Sequence, residues 1–403
     1  MSIKPSDLVA GAEKIATEIS EHCKFGKQSE GLNGKFACGQ FYGENVRGRA
    51  QRGLYGTASA ISILLGVGST EYVTTAKQLI SFVEDRGTIE KGILTEAKLQ
   101  EDDLLTIKQA YLLAGLTNAA DKASFETQLK EKLLAAKNAA HGSWGLFLDD
   151  SEPSEVATCY VLQALEGRLP DDELKKTRSY LWTVQEQLAQ RGLADPDAIA
   201  RRCLILFTLS RNFDNPRVDV PPKDKLSAAV KSLWLHARPL YSSDYEISVE
   251  FNRNERNHYI RIPWQIYLVH ALLRVDPPAL YSQRVQAFLT RINTSALSGG
   301  YAYVQAGQYL ASKTNWIVFA LLNYAGKITQ TPSWPFKARD WLGERWATPW
   351  IRFAVVVALG FLGLLLSNRF KAQLDSLSPL WPEVIAGIYI MFFSGLYTFR
   401  RSA

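Results

Sequence analysis

The sequence is short of the residues that usually mark a metal or catalytic centre. Its four cysteines, Cys23, Cys38, Cys159 and Cys203, are scattered, and no two have C-x-x-C spacing. Cysteines placed this way predict a reducing compartment and no structural zinc. No Ser/His/Asp order, phosphate-binding glycine loop or H-E-x-x-H is present, so the common triad, P-loop and zincin chemistries are excluded. No Lys/Arg-rich run is interleaved with aromatics, so the net charge of +6 does not point to a nucleic-acid partner. Met1–Asp7 is polar and no apolar h-region follows it, so no signal peptide is expected. His141 and His270 stand alone, and a lone histidine of this kind reads first as a hydrogen-bonded structural group.

What the chain has instead is apolar mass, 47% of its 403 residues, and a recurring pattern. Gly142-Ser143-Trp144-Gly145 is a glycine/aromatic turn. After it, Glu152-Pro153-Ser154-Glu155 opens a helix that is apolar through Val156, Ala157, Tyr160, Val161, Ala164 and Leu165 and stops at Gly167. The turn returns at Ser298–Tyr303 with a helix from Ala311, and more weakly at Gly53–Ala60. Between these points, amphipathic stretches alternate with stretches apolar all round, about six of each. Amphipathic stretches are read at Ser6–His22, Thr70–Arg86, Asp121–Ala139, Asp171–Arg191, Lys223–Arg238 and Pro277–Ile292. Apolar ones are read at Leu54–Leu65, Asp102–Ala114, Pro153–Glu166, Asp195–Ser210, Arg261–Val275 and Ser312–Tyr324. Tyr245, Ile247, Val249 and Phe251 alternate with polar residues before a turn at Asn252–Asn257, which predicts one β-hairpin. The expected fold class is all-α: an (α/α)6 toroid of alternating inner and outer helices with that hairpin inserted.

The C-terminal end departs from this pattern. Ile351–Ser367 is apolar after Arg352, Leu380–Phe399 is apolar apart from Glu383 at its edge, and each approaches the roughly 20 residues that span a bilayer. Trp341, Trp346, Trp350, Trp381 and Tyr397 flank them as an aromatic belt would. Two buried core helices are the competing reading. The resulting division is a cytoplasmic toroid over 1–330, an amphipathic juxtamembrane linker over 331–349, and a transmembrane hairpin over 350–403. Lys337, Arg339 and Arg345 precede the first span and Arg400 and Arg401 follow the second, but Arg369 and Lys371 lie between them; with no signal peptide expected, both termini are read on the cytoplasmic side of the inner membrane.

A Gly-Gly-aromatic turn leading into a capped helix rich in Ala and Leu resembles the repeat of terpenoid cyclases and protein prenyltransferase β-subunits. The likeness is clearest at 142–167 and 298–324 and loosely covers 5–325. It implies the (α/α)6 toroid with a site in the bore. Asp195-Pro196-Asp197-Ala198-Ile199-Ala200 resembles the D-x-D-D-T-A start of an inner helix in class II cyclases. The resemblance sets Asp197 on the proton-donating position with Asp195 beside it, and Ala198 stands where a further acid is expected. No prenyltransferase zinc set and no aspartate-rich metal motif is found, so no metal or other cofactor is expected.

In an alternating ring the N-termini of the inner helices converge on one mouth, where their dipoles favour anions. Asp102-Asp103, Glu152/Glu155 and Asp195/Asp197 open three of these helices, as capping would favour. Arg261, Lys313 and Arg52 open the others. Arg47, Arg49, Arg253, Arg256 and His258 lie in the segments before them. Basic groups there run against the dipole, so either a bound anion or ion pairs across the rim accounts for them. The expected anion site is Arg49, Arg52, Arg256, His258, Arg261 and Lys313. Trp144, Trp264, Tyr267, Trp316 and Tyr301 are the aromatics expected along the bore, against a plain core role.

Two functions fit. One is a membrane-anchored sensor or effector that takes an anionic or amphiphilic ligand at the mouth. Prokaryotic antiviral effectors that damage the inner membrane share this layout, and any channel of two spans per chain needs a homo-oligomer. The other is a membrane-bound enzyme with Asp197 as general acid on an isoprenoid substrate.

Overall fold

The computed structural model describes residues 3–25, 41–42, 54–86, 106–107, 110, 113–114, 124–192, 195–213, 219–237, 247–253, 256–297 and 310–329. The chain divides into two compact units, Met1–Pro332 and Ser333–Ala403. All described residues belong to the first, and it is predominantly helical. Among them no helix is long and apolar enough to cross a membrane. The segments read as spans, 351–367 and 380–399, lie outside the described residues.

The helices are α1 (Pro5–Phe25), α2 (Leu54–Val67), α3 (Thr70–Arg86), α4 (Ser124–Ala135), α5 (Glu155–Leu165) and α6 (Asp171–Gln190). They continue with α7 (Pro196–Ser210), α8 (Lys223–His236), α9 (Trp264–Val275), α10 (Gln283–Leu297) and α11 (Ser312–Gly326). Two kinds are present. Helix α6 buries one stripe, Leu174, Thr177, Arg178, Leu181, Gln185 and Leu188, while α7 is buried at almost every position from Ala198 to Ser210. A one-stripe helix needs a single partner face, and a helix apolar all round must be enclosed. The packing follows from this. The apolar helices contact one another in series, α5 with α7, α7 with α9, α9 with α11, and α11 with α2. Amphipathic helices lie against them: α6 on α5 and α7, α8 on α7 and α9, α3 on α2. Helix α1 buries Leu8, Ala12, Ile15 and Ile19 and packs on α2, α10 and α11, so the first helix meets the last. A short antiparallel pair, β1 (Phe41–Tyr42) with β4 (Leu310–Ala311), adds a second tie of this kind.

The hairpin consists of β2 (Ile247–Arg253) and β3 (Arg256–Ile262), paired from Ile247↔Ile262 to Arg253↔Arg256. Its connection is tighter than the turn expected at Asn252–Asn257, because Asn252 and Asn257 themselves pair. Three other boundaries move. Residues 261–262 belong to β3, and the helix starts only after Pro263. The helix expected over Pro277–Ile292 splits into a 3-10 turn, Pro277–Tyr281, and α10, because Ser282 accepts from the Val285 N–H and starts a new helix. Pro153 lies before the N-cap of α5, whose Ser154 side chain accepts from Ala157. Cysteine spacing also left one pairing unseen. Cys23 is disulfide-bonded, while Cys159 and Cys203 are free and buried. Pairing of cysteines depends on proximity in the fold, which scattered positions do not reveal.

The Gly142–Gly145 turn joins three helices. Gly142 has φ +66, and a Cβ there would press on Lys176 and the Thr177 backbone. Its carbonyl accepts from Thr177 Oγ1 of α6 at 2.5 Å. Trp144 is fully buried, and its indole donates to Leu133 O of α4 at 2.5 Å. Thr158 of α5 closes the set, accepting from Trp144 N at 3.0 Å and donating to Trp144 O at 3.4 Å. Thr158→Val keeps the shape and removes both bonds, leaving a buried N–H unpaired. It is expected to lower the unfolding free energy by about 1–3 kcal/mol in urea titrations, while Thr158→Ser stays within about 1 kcal/mol of wild type.

Candidate functional site

The apolar helices α5 and α7 run the same way, since residues in their first turns meet and residues at their last turns meet. At the N-terminal end, the Arg201 guanidinium lies 2.8 Å from Glu155 Oε1 and 2.9 Å from Asp197 Oδ2. Asp195 is the N-cap of α7 and accepts from the Ala198 N–H at 3.1 Å, with Arg191 3.9 Å away. The acids at this end are therefore engaged in capping and ion pairing. Burial, with Asp195 and Glu155 nearby, holds Asp197 above the ordinary aspartate range, against the pull of Arg201.

The hairpin belongs to the same end. Strand β3 enters α9 through Pro263, and both strands pack on α7. By backbone position, Arg253, Arg256, His258 and Arg261 thus precede the N-terminus of α9. Lys313 is the second residue of α11. Arg47, Arg49, Arg52, Asp102, Asp103 and Tyr301 lie outside the described residues. The structure brings Glu155, Asp195 and Asp197 together; Glu152 is exposed nearby in sequence.

Of the expected bore aromatics, Trp144 sits in the turn between α4 and α5, Trp264 is buried at the start of α9, and Trp316 is half-buried on α11. Tyr267, also expected along the bore, meets further aromatics in the interior. Tyr160 of α5 and Tyr267 of α9 place their hydroxyls 3.2 Å apart, although α7 lies between their helices. Phe207 of α7 lies 5.0 Å from the Tyr267 ring and 4.8 Å from His270. Tyr324 of α11 lies 5.1 Å from His270. The available signal was Tyr267, His270 and Arg274 at i, i+3 and i+7, a polar stripe on an otherwise apolar helix. Cys159 and Cys203 are not nucleophiles: burial pushes both thiols far above the ordinary range.

At the C-terminal end Glu166, the C-cap of α5, is buried among guanidiniums. Arg178 of α6 stands 3.7 Å from its Oε1 and Arg211 3.5 Å from its Oε2. Arg178 also donates to Leu209 O at 2.7 Å and Val220 O at 2.6 Å. Arg211 donates to Gln163 O at 3.1 Å. At Leu209 O and Gln163 O these arginines satisfy carbonyls that helix ends leave without intrahelical partners. Burial raises the Glu166 carboxyl above its ordinary range, with Arg211, Arg178 and Arg274 pulling against it. Burial lowers Arg178, with Glu166 opposing.

Among the described residues no group of histidine, cysteine, aspartate and glutamate is placed to hold a metal ion. Comparison with known proteins finds no matching family model, curated protein or solved structure.

Proposed function

We propose that this chain is a membrane-tethered sensor or effector whose helical unit is an (α/α)6 toroid with a basic mouth for an anionic or amphiphilic ligand. Two features of the packing support the toroid. The apolar helices succeed one another from α5 to α2, and Thr106, Ile107, Ala110 and Leu113, buried with helical spacing, supply the remaining inner position. The placement of the hairpin supports the mouth. Its basic residues lie at the end where the acids of α5 and α7 are already engaged by Arg201 and a backbone amide. Acids held this way do not compete for a ligand, and Arg256, His258, Arg261 and Lys313 are the groups an oxyanion would meet. Tethering by 351–367 and 380–399 at the inner membrane, with both termini cytoplasmic, belongs to the same proposal, as does a role in antiviral defence.

A specific observation favours a second reading. Burial raises the Asp197 carboxyl above its ordinary range, the direction that a general acid on an isoprenoid needs. Its ion pair with Arg201 works against that role.

Titration of the full chain in detergent with inorganic diphosphate separates the two. The sensor reading expects saturable binding that falls about tenfold or more when Arg256→Ala and Arg261→Ala are combined, since each charge-assisted bond contributes roughly 1.5–3 kcal/mol. Unchanged affinity in that double variant rules out the basic mouth. Turnover of an isoprenoid that Asp197→Asn abolishes, in a chain that stays folded, establishes the enzyme instead.

A further inference from the structure

At the opposite end of the apolar helices, His270 and Arg274 stand one turn apart on α9 and share two walls. Phe207 and Tyr324 both touch the His270 imidazole, at 4.8 and 5.1 Å. The same two rings lie 5.9 and 4.6 Å from the Arg274 guanidinium. His270 is 1% exposed, and neither of its ring nitrogens has a hydrogen-bond partner. The Nε of Arg274 is likewise buried without a partner. The remaining protein bond of that guanidinium runs from Nη1 to Arg211 O, at 2.9 Å.

Each observation is unusual, and together they have one direction. An imidazole always carries at least one N–H, so two unpaired nitrogens leave a donor and an acceptor unsatisfied, or two donors when charged. A buried donor or acceptor left without a partner is destabilising. Among the described residues, no carboxylate lies within ion-pair distance of Arg274, although Glu166 serves Arg178 and Arg211 nearby. A carbonyl and two ring faces are only partial counter-charges. Arg211 and Arg274 are half-buried, so part of each side chain remains accessible. Buried, partnerless N–H donors beside a guanidinium with no anion are the complement of an oxyanion.

We propose that the C-terminal ends of α7, α9 and α11 hold a single oxyanion group, phosphate or carboxylate, between His270 and Arg274, with Phe207 and Tyr324 as its walls. The group accepts from an imidazole N–H and from Arg274 Nε. The position is distinct from the mouth, and the inference does not depend on the mouth being a site.

The test uses the full chain in detergent, with histidines labelled with 15N. There are five histidines, so His270→Gln assigns the resonance. Inorganic phosphate and acetate are titrated against chloride at matched ionic strength. The expected result is a saturable shift of the His270 imidazole signals, weakened about tenfold or more in Arg274→Gln and unchanged in Arg256→Ala. A response to nanodiscs containing phosphatidic acid, without a response to either free anion, assigns the oxyanion to a lipid headgroup. No response to any of the three probes overturns the proposal, as does an equal response in folded Arg274→Gln. If that variant does not fold, the wild-type titration alone decides.

Discussion

Glu166→Leu and Arg178→Met, made singly, are each expected to lower the unfolding free energy by about 3–5 kcal/mol. Arg178 is 2% exposed and faces Glu166; removing Glu166 leaves the guanidinium buried without its carboxylate, and removing Arg178 leaves the buried carboxylate with Arg211 at 3.5 Å. The double variant is expected to lose no more than the Arg178→Met single, rather than the sum of both. The pair as a whole is not favourable, because burial raises the carboxyl and lowers the guanidinium, each toward its neutral form. What remains after both are removed is the loss at Leu209 O and Val220 O, to which Arg178 donates, and at Arg211, which faces Glu166 Oε2. Urea midpoints of the four proteins give the coupling, expected at roughly 3 kcal/mol. A coupling near zero would show that the two groups act independently.

Glu166 also imposes a pH dependence. Its folded-state value lies above the ordinary 4.5, since burial outweighs the surrounding arginines. A carboxyl raised in this way holds its proton more tightly in the folded chain. Its stabilising contribution is therefore fully present below the unfolded value and is lost as pH rises through the folded one. Glu166→Gln should flatten the fall in stability from about pH 4.5 upward, measured as urea midpoints against pH. Parallel curves for the two proteins would mean that Glu166 does not titrate in that window.

Legibility from sequence differs between these features for physical reasons. A 3.6-residue stripe records whether a helix is enclosed or faces solvent, so the alternation of α6 and α7 was readable. Capping is equally local. Asp195 before Pro196 marks the start of α7, and Ser154 that of α5. The Glu166 cluster was not readable, because Arg178, Arg211 and Glu166 come from three places in the chain and meet only through packing. Glu166 reads locally as nothing more than a polar residue after an apolar run. His270 was singled out, but as a hydrogen-bonded structural group, whereas its nitrogens have no protein partner. The contacts of Tyr160, Phe207 and Tyr324 with one another's neighbours were not readable for a related reason. Ring type says that a residue is buried, and only the direction of its Cβ says toward what.

Trp144 shows what that distinction is worth. Trp144→Ala is expected to destabilise the folded unit by about 3–5 kcal/mol, the range for emptying a buried aromatic site. The reason for the upper part of that range is connectivity. The turn that carries Trp144 is tied to α4 through Leu133 O, to α5 through Thr158 and Ser154, and to α6 through Thr177. Gly142 and Gly145 allow the close approach: a Cβ at Gly145 would collide with Asp150 and meet the Glu152 carbonyl at 3.1 Å. The walls of the site are thus backbone and helix, which relax little into a cavity. Trp144→Phe separates the two contributions. It retains most of the buried ring and loses the bond to Leu133 O, so about 1–3 kcal/mol is expected. With ten tryptophans in the chain, bulk fluorescence cannot isolate this site, and urea titration followed by circular dichroism is the suitable measurement. A loss below about 1 kcal/mol in Trp144→Ala would mean that α4, α5 and α6 hold together without the turn. Trp144 would then return to the reading in which it lines a ligand space rather than fastening three helices.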